Sequence, residues 1–278
     1  MKRAAIVIAV LGMCASSLAQ DKAATQSAPA GQTAAAPQGK RPPAAKTQPE
    51  FDAYKAALPL TDAAATEKAA DDFAAKFPDS ELRVVLYKSA MQKYQASNNG
   101  DKMLEMAQKA LTLDPDDPDA LVGVAQVLAE RTRDTDLDKD QKLAEAKKDA
   151  ERALVTVDTD VPTAGYPPEK IDQFKRYMKS EAYAVLGTLA TNAKSWPEAE
   201  TDLRKSIEVF PEQVDSVAVL RLAVALDMQN KIPDALKFAN QAVDLTKDRP
   251  DSAAGKAARA EQDRLTKLSS GSAPGQKN

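Results

Sequence analysis

The chain has 278 residues with a formal charge of −3, few aromatics, a single cysteine and no histidine. These counts exclude serine-histidine and cysteine-histidine catalytic pairs and zinc sites built on those ligands, and the acidic balance argues against nucleic acid as the principal partner. Abundant alanine beside scarce aromatics points to thin, closely packed helices rather than a sheet core, so an all-α chain is expected.

Residues 1–19 carry a basic start at Lys2 and Arg3, an apolar run from Ala4 to about Ala15, and the small-x-small ending Ser17-Leu18-Ala19. This is the pattern of a secretory signal cleaved before Gln20, too short to remain as a transmembrane anchor. A lipoprotein signal would place a small residue before the cysteine, whereas Met13 precedes Cys14. The mature chain is therefore expected in the periplasm or outside the cell. It carries about −5 and has no cysteine, so its stability must come from helix packing. Residues 20–50, rich in alanine, proline and glutamine, read as a disordered leader, because they hold too little apolar surface to offset their chain entropy; Lys40-Arg41 and Lys46 make its end mildly basic, and contact with an acidic surface is the alternative to a plain spacer.

From Phe51 the pattern becomes helical. Phe51, Tyr54 and Leu58 open it, and Ala69, Ala70, Phe73 and Phe77 mark a second helix ending at Pro78. Val84, Tyr87, Ala90, Met91 and Tyr94 lie on one stripe of a helix over 82–96. Asn98-Asn99-Gly100-Asp101 turns the chain into a return helix over about 102–113, stopped by Pro115. The same two-helix pattern recurs at Leu121, at Tyr183 and at Val219, and this internal repeat decides the architecture. Trp196-Pro197-Glu198-Ala199 and Ile232-Pro233-Asp234-Ala235, 36 residues apart, are matching helix starts with proline at the first helical position and an acid beside it. Units this small cannot bury an apolar face alone and must stack on one another.

Tyr183, Leu186-Gly187, Ala190, Ala199, Leu203, Ser206 and Pro211 together resemble the tetratricopeptide repeat family, whose unit is a helix-turn-helix of about 34 residues. Tyr87, Ala90-Met91, Tyr94, Met103, Ala107, Ala110 and Pro115 keep the same spacing with the Leu-Gly pair replaced. The resemblance implies a right-handed α-solenoid of stacked helix-turn-helix repeats over residues 51–250. A capping helix over 251–268 and a disordered tail over 269–278 complete the expected organisation. The resemblance further implies a concave groove, lined by the first helix of each repeat, that binds a protein or peptide partner. Carried over by position, the groove comprises Lys88, Gln92, Gln95, Gln126, Glu130, Thr188, Thr191, Asn192 and Asp227. The lysine-asparagine carboxylate clamp of some members is not expected, because Gly123 and Val185 occupy the later positions.

Two departures from the repeat stand out. Asp134, Asp136, Asp138 and Asp140 at alternate positions, with Glu145 beyond, have the ligand spacing of a calcium loop, but its sixth position holds Lys139 where glycine belongs. A solvated acidic loop is the preferred reading and calcium the alternative. After the proline-rich stretch 159–168, helical spacing runs from about Glu169 to Ala193, roughly 35 Å, about twice the need of one repeat. Its early turns are expected to brace the preceding repeat, with a partner site as the alternative.

The sequence thus predicts an exported, non-catalytic scaffold without cofactor, serving a protein complex of the cell envelope. A receptor for a cell-wall glycan or small metabolite is the alternative. It would want stacking aromatics, and Tyr87, Tyr94, Tyr183 and Trp196 are assigned to repeat packing. A glycosidase would need two distinguished carboxylates, and none stand apart from the many exposed ones.

Overall fold

The computed structural model describes residues 39–271. Over these the chain is an all-α solenoid of helices packed in consecutive pairs. In chain order the helices are α1 (Gln48–Ala57), α2 (Ala63–Lys76), α3 (Leu82–Ala96), α4 (Gly100–Leu113), α5 (Pro118–Arg131) and α6 (Lys139–Thr159). They continue as α7 (Pro168–Asn192), α8 (Trp196–Val209), α9 (Ser216–Asp227), α10 (Ile232–Leu245) and α11 (Ala253–Ser269). The signal segment at 1–19, the leader as far as residue 38 and the tail from residue 272 lie outside the described residues.

Local chemistry accounts for the helix boundaries. Asp62, Asn99, Asp117, Asp215 and Ser252 each accept a hydrogen bond from a backbone N–H in the first turn of the helix that follows. Helices α8 and α10 start at Trp196 and Ile232 with no side-chain cap, one residue before the prolines that the sequence puts first, so each proline sits second in its first turn. Three hairpins turn in the same way. Asn98, Lys194 and Asn230 adopt positive φ of 57°, 59° and 60°. The next residue's N–H then reaches back to Tyr94, Ala190 and Leu226 carbonyls, each at 2.9 Å. This is the Schellman arrangement, which satisfies carbonyls that the helix end would otherwise leave open.

Within a pair, small residues set the approach. Gly187 on α7 faces Leu203 on α8 so closely that an added Cβ would sit 2.5 Å from Leu203 Cγ. Ala190, Ala199, Leu203, Leu222 and Leu226 form one core cluster there, and Leu86, Met91, Met106, Ala107 and Val124 belong to another. Between pairs, the first helices touch directly: α3 meets α5, α5 meets α7, α7 meets α9 and α9 meets α11, whereas consecutive second helices make no close packing. Elements that approach on one side and splay on the other define a curve, so the first helices line its inner face. Long ion pairs bridge the splayed side, such as Lys102–Glu67 at 2.7 Å and Lys109–Asp71 at 2.9 Å.

The long helix α7 has 25 residues, and its early turns are braced on both sides. Ile171, Phe174, Tyr177 and Met178 pack with Val157 and Val161 at the end of α6. On the other flank the Arg176 guanidinium lies 5.5 Å from the Phe210 ring centre and pairs with Glu212. Helix α11 covers the last pair, with Leu265 and Ala258 buried.

One expectation is overturned. The leader assigned to 20–50 is ordered from Gly39: residues 39–47 form an extended strap, and α1 begins at Gln48. Glu50 is buried and accepts bonds from the Ser80 hydroxyl and from the Lys46 and Thr47 N–H groups, so it anchors the strap's end. Composition missed this because the strap is held by polar contacts rather than by apolar burial.

Candidate interaction face on the first helices

The inner face begins at α3 and α5. Lys88 reaches Asp117 Oδ2 at 2.7 Å, with Asp119 at 4.0 Å, and the Gln92 amide donates to Asp119 at 3.1 Å. Burial alone would pull the Lys88 ammonium down, but the charges of Asp117 and Asp119 outweigh it and hold the group above the ordinary lysine value. Burial pushes the Asp119 carboxyl up, with Lys88 pulling the other way. The Asp114 to Asp119 run that supplies these carboxylates ends α4 and caps α5, so the same residues that shape the turn also fix Lys88.

Over α5 the face is closed. From Pro118 to Ala129 helix α5 is buried almost all round. Gln126 is only 8% exposed and accepts from the Gln95 amide at 3.2 Å, and from the other side Asn192 donates to the Ala129 carbonyl at 3.3 Å. Thr188 is buried, and both its hydroxyl and that of Thr191 return to carbonyls one turn back, on Ala184 and Gly187, at 2.7 Å. Asp227 pairs with Arg264 of the capping helix at 2.5 Å. Of the nine residues carried over from the repeat pattern, Gln95, Gln126, Asn192 and Asp227 therefore join first helices to one another, and Thr188 and Thr191 bond within α7. Lys88 and Gln92 belong to the acid-lysine cluster, and Glu130 is exposed at the end of α5.

Beside Glu130 lies an open polar cleft of about 540 Å³, walled by Asp101, Arg131, Thr132, Arg133 and Asp136. Arg131 and Asp101 pair at 2.7 Å across it. A smaller cavity of about 60 Å³ extends inward past Gln95, Met103 and Gln126.

The apolar part of the face is on α9. Val217, Leu220, Val224 and Met228 fall within one 100°-wide arc of that helix, opposite its buried arc of Val219, Leu222, Ala223 and Leu226. The first three are half-buried and Met228 is 54% exposed, and Arg221 and Asp227 flank the stripe. Only Asp227 of this helix is among the groove positions carried over from the repeat, although offsets of 3, 4 and 4 residues between the apolar positions mark the stripe in the sequence.

The acidic loop does not gather into a cation cage. Asp134 pairs with Lys139 at 2.7 Å, and Lys142 takes Asp138 at 2.9 Å and Asp136 at 3.5 Å. Asp140 and Glu145 already lie on α6. Among the described residues no group of three or more histidine, cysteine or acidic side chains is placed to hold a metal ion, and in the loop named as the calcium alternative, Asp134, Asp136, Asp138, Asp140 and Glu145, the first three carboxylates are paired with lysines. The aromatics are likewise spent on packing. Tyr87 donates to Asp71, Tyr94 to Glu67, and Trp196 packs on the α8–α10 core.

No family model matches the chain, and no curated protein matches it. Among solved structures it is similar to one described as "Assembly Chaperone of RpL4 (Acl4) (Residues 1-338)", at 13% identity and a TM-score of 0.38, over 80% of this chain and 98% of that chain.

Proposed function

We propose that this chain is a non-catalytic scaffold of the tetratricopeptide type that holds a protein segment on its first-helix face. The observation that carries the reading is the α9 stripe. Val217, Leu220, Val224 and Met228 leave apolar surface on the inner side of a curve whose other first helices are closed by mutual hydrogen bonds. Such a stripe suits a helix or extended peptide that inserts two or three apolar side chains. Asp117, Asp119 and Asp227 on the face are engaged with lysine, amide or arginine partners, so what they offer is fixed charge rather than proton transfer. A peptide array probed with the full chain, followed by titration of the best peptide against Val224→Glu and Met228→Glu, tests this. Binding should fall at least roughly tenfold with the helical signal unchanged. Equal affinity for parent and variants would remove the α9 face from the reading.

Export is the second element of the proposal, resting on the Lys2-Arg3 start, the apolar run and the Ser17-Leu18-Ala19 ending. Among the described residues no helix is long and apolar enough to cross a membrane. The partner would then belong to the cell envelope. N-terminal sequencing of the protein recovered from the envelope or medium should begin at Gln20, and a start at Met1 would reject export by this signal.

A further inference from the structure

The turns that join one repeat to the next lie side by side along one edge of the solenoid, and the strap shows it. Lys40 holds Asp114 at 2.6 Å with Asp160 at 3.8 Å, although these acids terminate α4 and α6 respectively. Arg41 forms a two-pronged pair with Glu81, just before α3. Successive turns therefore offer Glu81, Asp114 and Asp160 as a row of carboxylates, and an extended basic segment runs along that row.

The seating has the marks of peptide recognition rather than of loose charge contact. The Lys40 N–H donates to the Thr159 carbonyl at 3.2 Å, a main-chain bond of the kind that fixes an extended peptide's register. Gly39 lies so near the next turn that a Cβ would stand 2.6 Å from the Val161 carbonyl oxygen, so only glycine fits there. Downstream, the Lys46 ammonium donates to the Asp79 carbonyl at 2.7 Å. Yet the strap's head depends on side chains that are themselves substantially exposed, Lys40 at 38% and Arg41 at 69%. Exposed ion pairs are individually weak and salt-screened, so what keeps the strap seated is chiefly its covalent attachment, which supplies a high local concentration.

We propose that this row of inter-repeat turns is a second interaction surface, distinct from the α9 face, for a glycine-led basic extended peptide, and that residues 39–46 occupy it in cis as an internal competitor. Charge complementarity and the seated segment together define the ligand chemistry: a glycine packed on the α6–α7 turn, followed by two consecutive cations that span the carboxylates of three turns.

The test uses the full-length chain and a labelled peptide with the sequence of residues 39–46. Gly39→Val lifts the strap's head without altering charge, and Lys40→Ala with Arg41→Ala removes its cations outright. Both leave Glu81, Asp114 and Asp160 in place. Circular dichroism and melting confirm that each variant keeps the fold. Fluorescence polarisation should show the peptide binding at least one of the two variants roughly tenfold or more tightly than the parent, because the tethered competitor is gone. That gain should vanish in about 0.5 M salt and on adding Asp114→Asn. No peptide binding by either variant, or equal binding by parent and variants that ignores Asp114→Asn, overturns the proposal. Val224→Glu should leave this binding untouched, so failure here and failure of the α9 reading can be told apart.

Discussion

The α7–α8 and α5–α6 hairpins follow the same plan and differ in almost every detail of execution. In the first, a Schellman turn with Lys194 at a φ of 59° closes the pair, and Gly187 lets Leu203 press directly on the helix backbone. In the second, Thr132 leaves α5 in an extended conformation and a lysine-neutralised acidic loop carries the chain across to α6. Both hairpins pack tightly, so the repeat tolerates an irregular turn provided the facing helix surfaces match. What the irregular hairpin changes is the surface. Helix α5 is buried almost all round and bonded to both neighbouring first helices, which leaves little of its side-chain surface open.

The comparison can be broken most forcefully at the two glycines. Gly187→Val should destabilise the fold by about 3 kcal/mol, since its Cβ would meet both the Leu203 side chain and, at 3.2 Å, its backbone nitrogen. Gly123→Ala on α5 should lie within about 1 kcal/mol of neutral. There the nearest atom is the movable Met91 sulfur at 2.9 Å, and alanine gains about 1 kcal/mol in helix propensity. Thermal denaturation of the pair measures the difference directly, and similar losses would show that both hairpins are equally constrained.

Next in size is Lys88→Ala, which leaves Asp117 and Asp119 facing each other at the joint between α3 and α5 and should cost about 2 kcal/mol. Denaturant titration reads this loss, and adding Asp119→Asn should restore part of it. Lys194→Gly should stabilise the regular hairpin by about 1 kcal/mol, because glycine carries no Cβ penalty at positive φ.

A smaller effect depends on pH. Burial, reinforced by Glu145, pushes the Asp149 carboxyl on α6 above its ordinary value. A carboxyl whose folded-state pKa is raised disfavours folding while ionised, at pH above that raised value, and the penalty disappears as pH falls through it and below the unfolded value. Asp149→Asn should therefore raise the melting temperature at pH 7 by an amount equivalent to about 0.5 kcal/mol, with no gain in acid below the ordinary aspartate range. A gain that persists there would assign it to something other than charge. Smallest of all, millimolar calcium should leave the melting curve unmoved, because Lys139 and Lys142 already neutralise the acidic loop.

Much of this architecture was legible in the residues. The helix starts at Trp196 and Ile232 and the long helix, read from about Glu169 and beginning at Pro168, followed from proline and apolar periodicity, both of which act within a few residues. The interaction face was less legible. Gln95, Gln126 and Asn192 occupy groove positions by register, but whether an amide faces solvent or a neighbouring helix depends on how closely consecutive repeats approach, which no local pattern encodes. The strap was least legible: Lys40, Arg41 and Lys46 allow contact with an acidic surface as an alternative to a spacer, but no local pattern says that carboxylates from three separate turns converge on it.

The sequence by itself determined the elements of this protein: an alanine-rich helical repeat, its caps, its breaks and the absence of histidine and cysteine chemistry. Only the tertiary structure decided which surfaces remain available. Helix formation is governed by neighbours at three and four residues, whereas closure of α5, exposure of the α9 stripe and seating of the strap are set by the curvature that accumulates as one pair stacks on the next.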